Sequence, residues 1–250
     1  MTRTMSADEL SRAIDPVLSS LGSKYMLDAA TAEIGTAAGY PDGFTFYMAG
    51  RGGVLGDVEA DVVYAAFGFF SLGVVTKLWQ RGIAIEGARA AGRRYAGACD
   101  TWGRAHLGSA PGLARFSELA ERVVRGVDSV GLALFAGLRG EALADDAPAR
   151  AYRLVTWLRE LRGSVHVASV AAEGLDGLRA IMLDPKGGEF FAKLHGYREP
   201  WPDVQGLADR FAAAEARTHN VMTNIYDAHL SAEERAELAD LVAGIAAATT

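Results

Sequence analysis

The stretch Tyr152-Arg153-Leu154-Val155-Thr156-Trp157-Leu158-Arg159-Glu160-Leu161-Arg162-Gly163-Ser164-Val165-His166-Val167-Ala168-Ser169 decides the fold class. Leu154, Leu158, Leu161 and Val165 recur at spacings of three and four, the period of a helix with one face in a core. A polar line of Arg159, Arg162, His166 and Ser169 runs beside them. At about 100° per residue these four fall within roughly 80° of one another, bordering the apolar stripe instead of opposing it. Polar groups placed at the edge of a core are where a site can form.

The rest of the chain agrees with helix. Half of its 250 residues are hydrophobic, Ala is abundant and only seven are Pro, which predicts an all-α fold. The length allows one large or two small domains. Gly140 to Pro148 reads as a linker, so we expect an N-terminal helical bundle over 1–140 and a C-terminal helical domain over 149–250, packed as one unit. The single cysteine, Cys99, excludes an intrachain disulfide and reads as a small core residue. The first twenty residues carry Asp8, Glu9 and Asp15 and have no continuous apolar run, against a secretory signal. The longest uncharged run, Val62 to Thr76, is short of the ~20 residues that cross a bilayer. A cytoplasmic protein without membrane partners is expected.

Ser6-Ala7-Asp8-Glu9 and Ser231-Ala232-Glu233-Glu234 are capping-box signatures that predict helix starts. Further helices are expected over 23–38, 86–107, 113–138, 175–183, 189–195, 204–226 and 232–248. Val58 to Val75 is apolar almost all round and reads as one helix in the middle of a bundle, with Gly68 and Gly73 permitting a kink or close contact. Ala49-Gly50-Arg51-Gly52-Gly53-Val54-Leu55-Gly56 reads as a structural loop. Leu55 stands where a dinucleotide fingerprint has its third glycine, and no Lys-Ser/Thr follows. Asp57, Glu59 and Asp61 would repel a phosphate there.

Arg162 and His166 are i,i+4 neighbours able to share one ligand, and a guanidinium beside an imidazole favours the neutral ring. Such a ring suits a general base, a metal or haem ligand, or a partner for an anionic substrate. No metal set is legible: none of the five histidines lies in Glu-x-x-His or His-x-x-x-His spacing.

The order of several short motifs resembles a family of actinobacterial helical proteins of similar length with a degenerate helix-turn-helix region. These are Phe46-Tyr47-x-x-x-Arg51-x-x-Val54-Leu55-Gly56, Ala66-Phe67-x-Phe69-Phe70-Ser71, and Leu158-Arg159-Glu160-x-Arg162-Gly163-x-x-His166-Val167-Ala168 followed by Gly174-Leu175-Asp176-Gly177-Leu178. Ala216-Arg217-Thr218 to Leu230-Ser231-x-Glu233 extends the likeness into the tail. The resemblance implies a worn winged helix in the C-terminal region. Residues 184–220, where it would lie, hold Lys186, Lys193, Arg198, Arg210 and Arg217 against six Asp/Glu, and a net charge of −6 argues the same way, so the sequence speaks against DNA binding.

The function expected from these residues is small-molecule binding, with an enzyme of actinobacterial specialised metabolism as one form of it. His166 and Arg162 would be the catalytic pair. Arg51, Tyr47, Arg159 and Ser169 would supply polarity to a pocket walled by Phe67, Phe69 and Phe70. Haem is a candidate cofactor, with a histidine as axial ligand. Two other readings stand beside this one, a transcriptional regulator with a worn winged helix and a non-catalytic helical interaction protein or homodimer.

Overall fold

One helix, α9 (Ala147–Ala172), runs through the centre of the protein. Asp146 starts it, its side chain accepting the Ala149 N–H. A helix amphipathic as expected would show water one broad face. Instead Tyr152, Leu154, Val155, Trp157, Leu158 and Leu161 are all buried, and so are the charged Arg153 and Glu160. Buried charges persist only when paired: Arg153 donates to the Ala96 carbonyl at 2.6 Å and meets Asp100 at 2.6 Å.

The computed structural model describes residues 3–249. Among them are thirteen α-helices, one 3-10 turn and no strand, so the protein is all-α. Around α9 pack α6 (Ala88–Leu107), α7 (Leu113–Gly126), α8 (Ala133–Arg139), α12 (Ala208–His229) and α1 (Ala7–Leu21). The last helix, α13 (Ala232–Ala247), lies on α1 and α7. Both capping boxes form, at Ser6–Glu9 and Ser231–Glu234, and the Met5 N–H donates to the Ala232 carbonyl at 2.9 Å, bringing the two caps together. One hydrophobic core draws residues from α1 to α13; a small second cluster joins Val170, Leu175, Ala180 and Ala214.

Several expected elements divide. The 23–38 helix shortens to α2 (Ala29–Ala37), started by the Asp28 side chain. The 113–138 helix breaks between α7 and α8, where Gly131 takes a φ of 79°. The glycine loop is helical at its start, forming the end of α3 (Gly43–Gly52) and a 3-10 turn over Gly53–Leu55. Its glycines serve packing: Gly53 lies against Ala88 and Gly92 of α6. The Val58–Val75 helix divides too, with consequences described below.

Cys99 is buried in the core, as expected, 3.5 Å from Thr156 Oγ1. Burial pushes its thiol up to about 11. A disulfide reagent at pH 8 should therefore leave the native protein unmodified and label it only as fast as it unfolds; rapid labelling of native protein would contradict the packing.

Candidate functional site

Two short backbone events turn the expected 58–75 helix into a helix, a turn and a second helix. The first helix, α4 (Ala60–Phe67), ends where Gly68 takes a φ of 77° and donates its N–H to the Tyr64 carbonyl at 3.0 Å. Phe69 and Phe70 complete the turn, and Ser71 caps the second helix, α5 (Leu72–Glu86), accepting the Val74 N–H at 3.4 Å. The turn is clamped from below. A Cβ on Gly68 would stand 2.5 Å from Val167 of α9, and one on Gly177, at the start of α10 (Gly177–Leu183), would stand 2.2 Å from the Gly68 carbonyl. Phe67 and Phe70 are buried against Tyr47 of α3. Trp79 of α5 donates to the Val58 carbonyl at 3.0 Å. Gly82 lets α5 approach α3 at Ala49 and Thr45.

With Val75, Trp79 and Gly82 buried, α5 leaves Gly73, Lys77, Gln80, Arg81 and Ala84 exposed along one face. This face opens a basic tract. From Val62 to Cys99 the cations are Lys77, Arg81, Arg89, Arg93 and Arg94, and the only anion is Glu86, in a chain of net charge −6. Arg94 satisfies Glu86 at 2.8 Å, Arg81 reaches Asp42 at 3.3 Å on the surface, and Arg89 donates to the Val54 carbonyl at 2.7 Å. Lys77 and Arg93 stand exposed. Sequence reasoning missed this face, weighing charge over the whole chain and over 184–220; the signals that could have found it were Ser71 as a cap and the run of cations after it.

The residues singled out from the sequence fall into two groups that do not meet. Arg51 belongs to α3. It donates from Nε and Nη2 to Glu160 at 3.1 and 2.7 Å and from Nη1 to the Tyr47 hydroxyl at 3.1 Å, with Phe67 under its guanidinium at 4.3 Å. Arg159 reaches the same carboxylate at 2.5 Å. Burial works against the charge on Arg51, but Glu160 outweighs it and holds the guanidinium firmly protonated. Tyr47, Phe70 and Arg159 also line a groove of about 400 Å³.

Arg162 and His166 face α12 instead. Arg162 Nη2 meets Glu215 at 3.2 Å, and His166 Nδ1 lies 3.2 Å from Thr218 Oγ1 and 3.5 Å from Glu215. Phe69 stacks on the His166 ring at 5.6 Å. Burial holds the His166 imidazole below its ordinary value; Arg162 adds to this and Glu215 opposes it. Arg162 also approaches the buried Asp15 at 3.8 Å, which accepts from Tyr226 and Ser11, each at 2.7 Å. Ser169 is buried farther along α9, beside a groove between α9 and α12. Arg51, Tyr47, Arg159, Arg162 and His166 thus each have a partner within the protein, Ser169 is buried, and Phe67 belongs to the core.

Among the described residues no group of three or more His, Cys, Asp or Glu could hold a metal ion, and no helix is long and apolar enough to cross a membrane. The family model described as "Helix-turn-helix family" matches residues 7–210, more than three quarters of the chain. No curated protein and no solved structure matches it. The family match corrects two expectations. A ligand-binding or enzymatic protein with His166 and Arg162 as its chemistry, haem included, gives way to the regulator reading, and the sequence-level argument against DNA binding is overturned. That argument failed because net charge and the 184–220 count say nothing of a local basic face elsewhere.

Proposed function

The chain belongs to the helix-turn-helix family, and on that premise we propose that it is a DNA-binding protein acting as a transcriptional regulator. The family match over residues 7–210 carries this reading. Several helix pairs joined by short turns lie inside that range, and charge and size favour α4–α5 as the one that docks. α10 with α11 (Glu189–Leu194), by contrast, has helices of only seven and six residues, and α11 lies in the acid-balanced 184–220 region. α5 has fifteen residues, about 22 Å of helix, with a free face long enough to lie in a major groove.

On this reading Lys77 and the α6 residue Arg93 neutralise phosphates and set the register. Gln80 and Arg81 address base edges, where a side-chain amide pairs with adenine and a guanidinium with guanine. Arg81 leaves its surface contact with Asp42 at little cost, since exposed ion pairs contribute about 0–1 kcal/mol.

Anisotropy titrations with a labelled mixed-sequence duplex test the proposal. Binding should weaken linearly in log–log form as salt rises, with a slope of about −0.9 per phosphate neutralised. A Lys77→Ala/Arg93→Ala protein should lose about 2 from that slope while remaining folded. With a duplex selected from a random pool, Arg81→Ala should cost about 1–3 kcal/mol and relax preference at one base position. A flat titration at low salt, or a slope indifferent to Lys77 and Arg93, would remove the proposal.

A further inference from the structure

α11 turns its apolar side chains away from the protein. Of its six residues only Ala192 is buried, whereas Phe190 is 73% exposed, Leu194 45% and Phe191 41%. At about 100° per residue, Phe190, Leu194 and Phe191 share an arc of roughly 100° on the side away from Ala192, and Glu189 and Lys193 lie together along one flank. Among the described residues seven large hydrophobic side chains are exposed, and five of them belong to this neighbourhood. Leu27 and Leu194 line one groove, and Leu72 follows Ser71, whose N–H donates to the His195 carbonyl at 2.9 Å and whose hydroxyl donates to the Gly196 carbonyl at 3.0 Å. A concentration of this kind marks an interaction surface.

We infer that this face is covered by a second copy of the chain, α11 packing antiparallel on its counterpart about a twofold axis at Phe191. Charge complementarity selects this occupant. In a twofold contact, residue i meets j and j meets i. An antiparallel pair centred on Phe191 sets Glu189 of each copy opposite Lys193 of the other, on the same flank, giving two ion pairs beside the Phe190, Phe191 and Leu194 contacts. Within one chain Lys193 is held loosely, 3.7 Å from Glu189, 3.5 Å from Glu199 and 5.5 Å from the Trp201 ring, so it is at liberty to pair across the axis. The rim carries both signs, Lys186 and Arg198 with Asp184, Glu199 and Asp203, so two identical copies meet without a single-sign field.

The dimer does not rest on the DNA-binding reading, and its test is made without DNA. Sedimentation and light scattering on the full chain should give twice the mass of one chain, dissociating on dilution. Glu189→Lys alone and Lys193→Glu alone each place like charges across the axis and should weaken the dimer roughly tenfold or more, whereas the double reversal should restore it. Phe190→Ser should weaken it at least as much while the variant keeps its helix content, because the side chain is largely exposed within its own chain. A monomer at every concentration would overturn the inference, and so would a dimer indifferent to the single reversals or one the double reversal fails to restore.

Discussion

Replacing Glu160 by alanine is expected to remove about 3–5 kcal/mol of stability, among the largest effects of any single substitution in this protein. Glu160 is 1% exposed and serves both Arg51 and Arg159. Without its carboxylate the Arg51 guanidinium, on a side chain only 11% exposed, keeps only Tyr47 and the Phe67 ring, and a largely buried charge without its counter-ion is costly. Urea unfolding reads the loss as a lower midpoint at unchanged slope. Removing both charges, with Arg51→Met and Glu160→Leu together, should recover most of it, because a buried ion pair is strongly missed only when one half remains. Burial pushes the Glu160 carboxyl up, but Arg51 and Arg159 outweigh burial and hold it below its ordinary value. Its contribution is therefore complete above the usual carboxylate range and declines as pH falls through the depressed folded value. The Glu160→Gln protein should lack that part of the acid dependence.

Gly53→Ala should also destabilise severely, by roughly 3 kcal/mol or more, for a purely steric reason. The φ of Gly53 is −61°, which any residue adopts. A Cβ there, however, would stand 2.2 Å from the Ala88 carbonyl oxygen and 2.7 Å from the Gly92 nitrogen. Both are backbone atoms of α6 and cannot swing aside. Gly92 is constrained in return, its Cβ position lying 3.1 Å from the Gly53 carbonyl carbon, so the crossing joins glycine to glycine. Gly73→Ala is the matched control: a Cβ there meets nothing within 4 Å, and a helical glycine replaced by alanine should gain up to about 1 kcal/mol. Equal losses from the two substitutions would refute the packing account.

Local signals in the sequence carried the all-α class, both capping boxes, the α9 helix and the core cysteine, because caps and periodicity act within a few residues. What they could not carry was direction in space. The polar edge expected of α9 runs from Arg159 to Ser169, yet the structure buries two charges outside that line, Arg153 and Glu160, because Asp100 and Arg51 arrive from α6 and α3. Arg51 and His166 looked like partners for one ligand, yet they point to opposite neighbours, Glu160 and Glu215. The α4–α5 turn was hidden by its own hydrophobicity: Phe67, Phe69 and Phe70 continue the apolar run across Gly68 and Ser71, the two residues that break it. A glycine inside such a run reads equally as kink or stop until Val167 and Gly177 close on it.

The clamped turn and the bare face that follows it have a joint consequence for how this protein can change. Gly68 and Gly177 admit no larger residue, so the angle at which α5 leaves the body is fixed. Gly73, Lys77, Gln80, Arg81 and Ala84 carry almost none of that geometry, Arg81 having only its surface contact with Asp42. The strip can therefore be rewritten side chain by side chain at almost no thermodynamic cost, while the frame presenting it stays constant. In such a molecule partner choice and foldability are separate inheritances, and the first can drift while the second holds still.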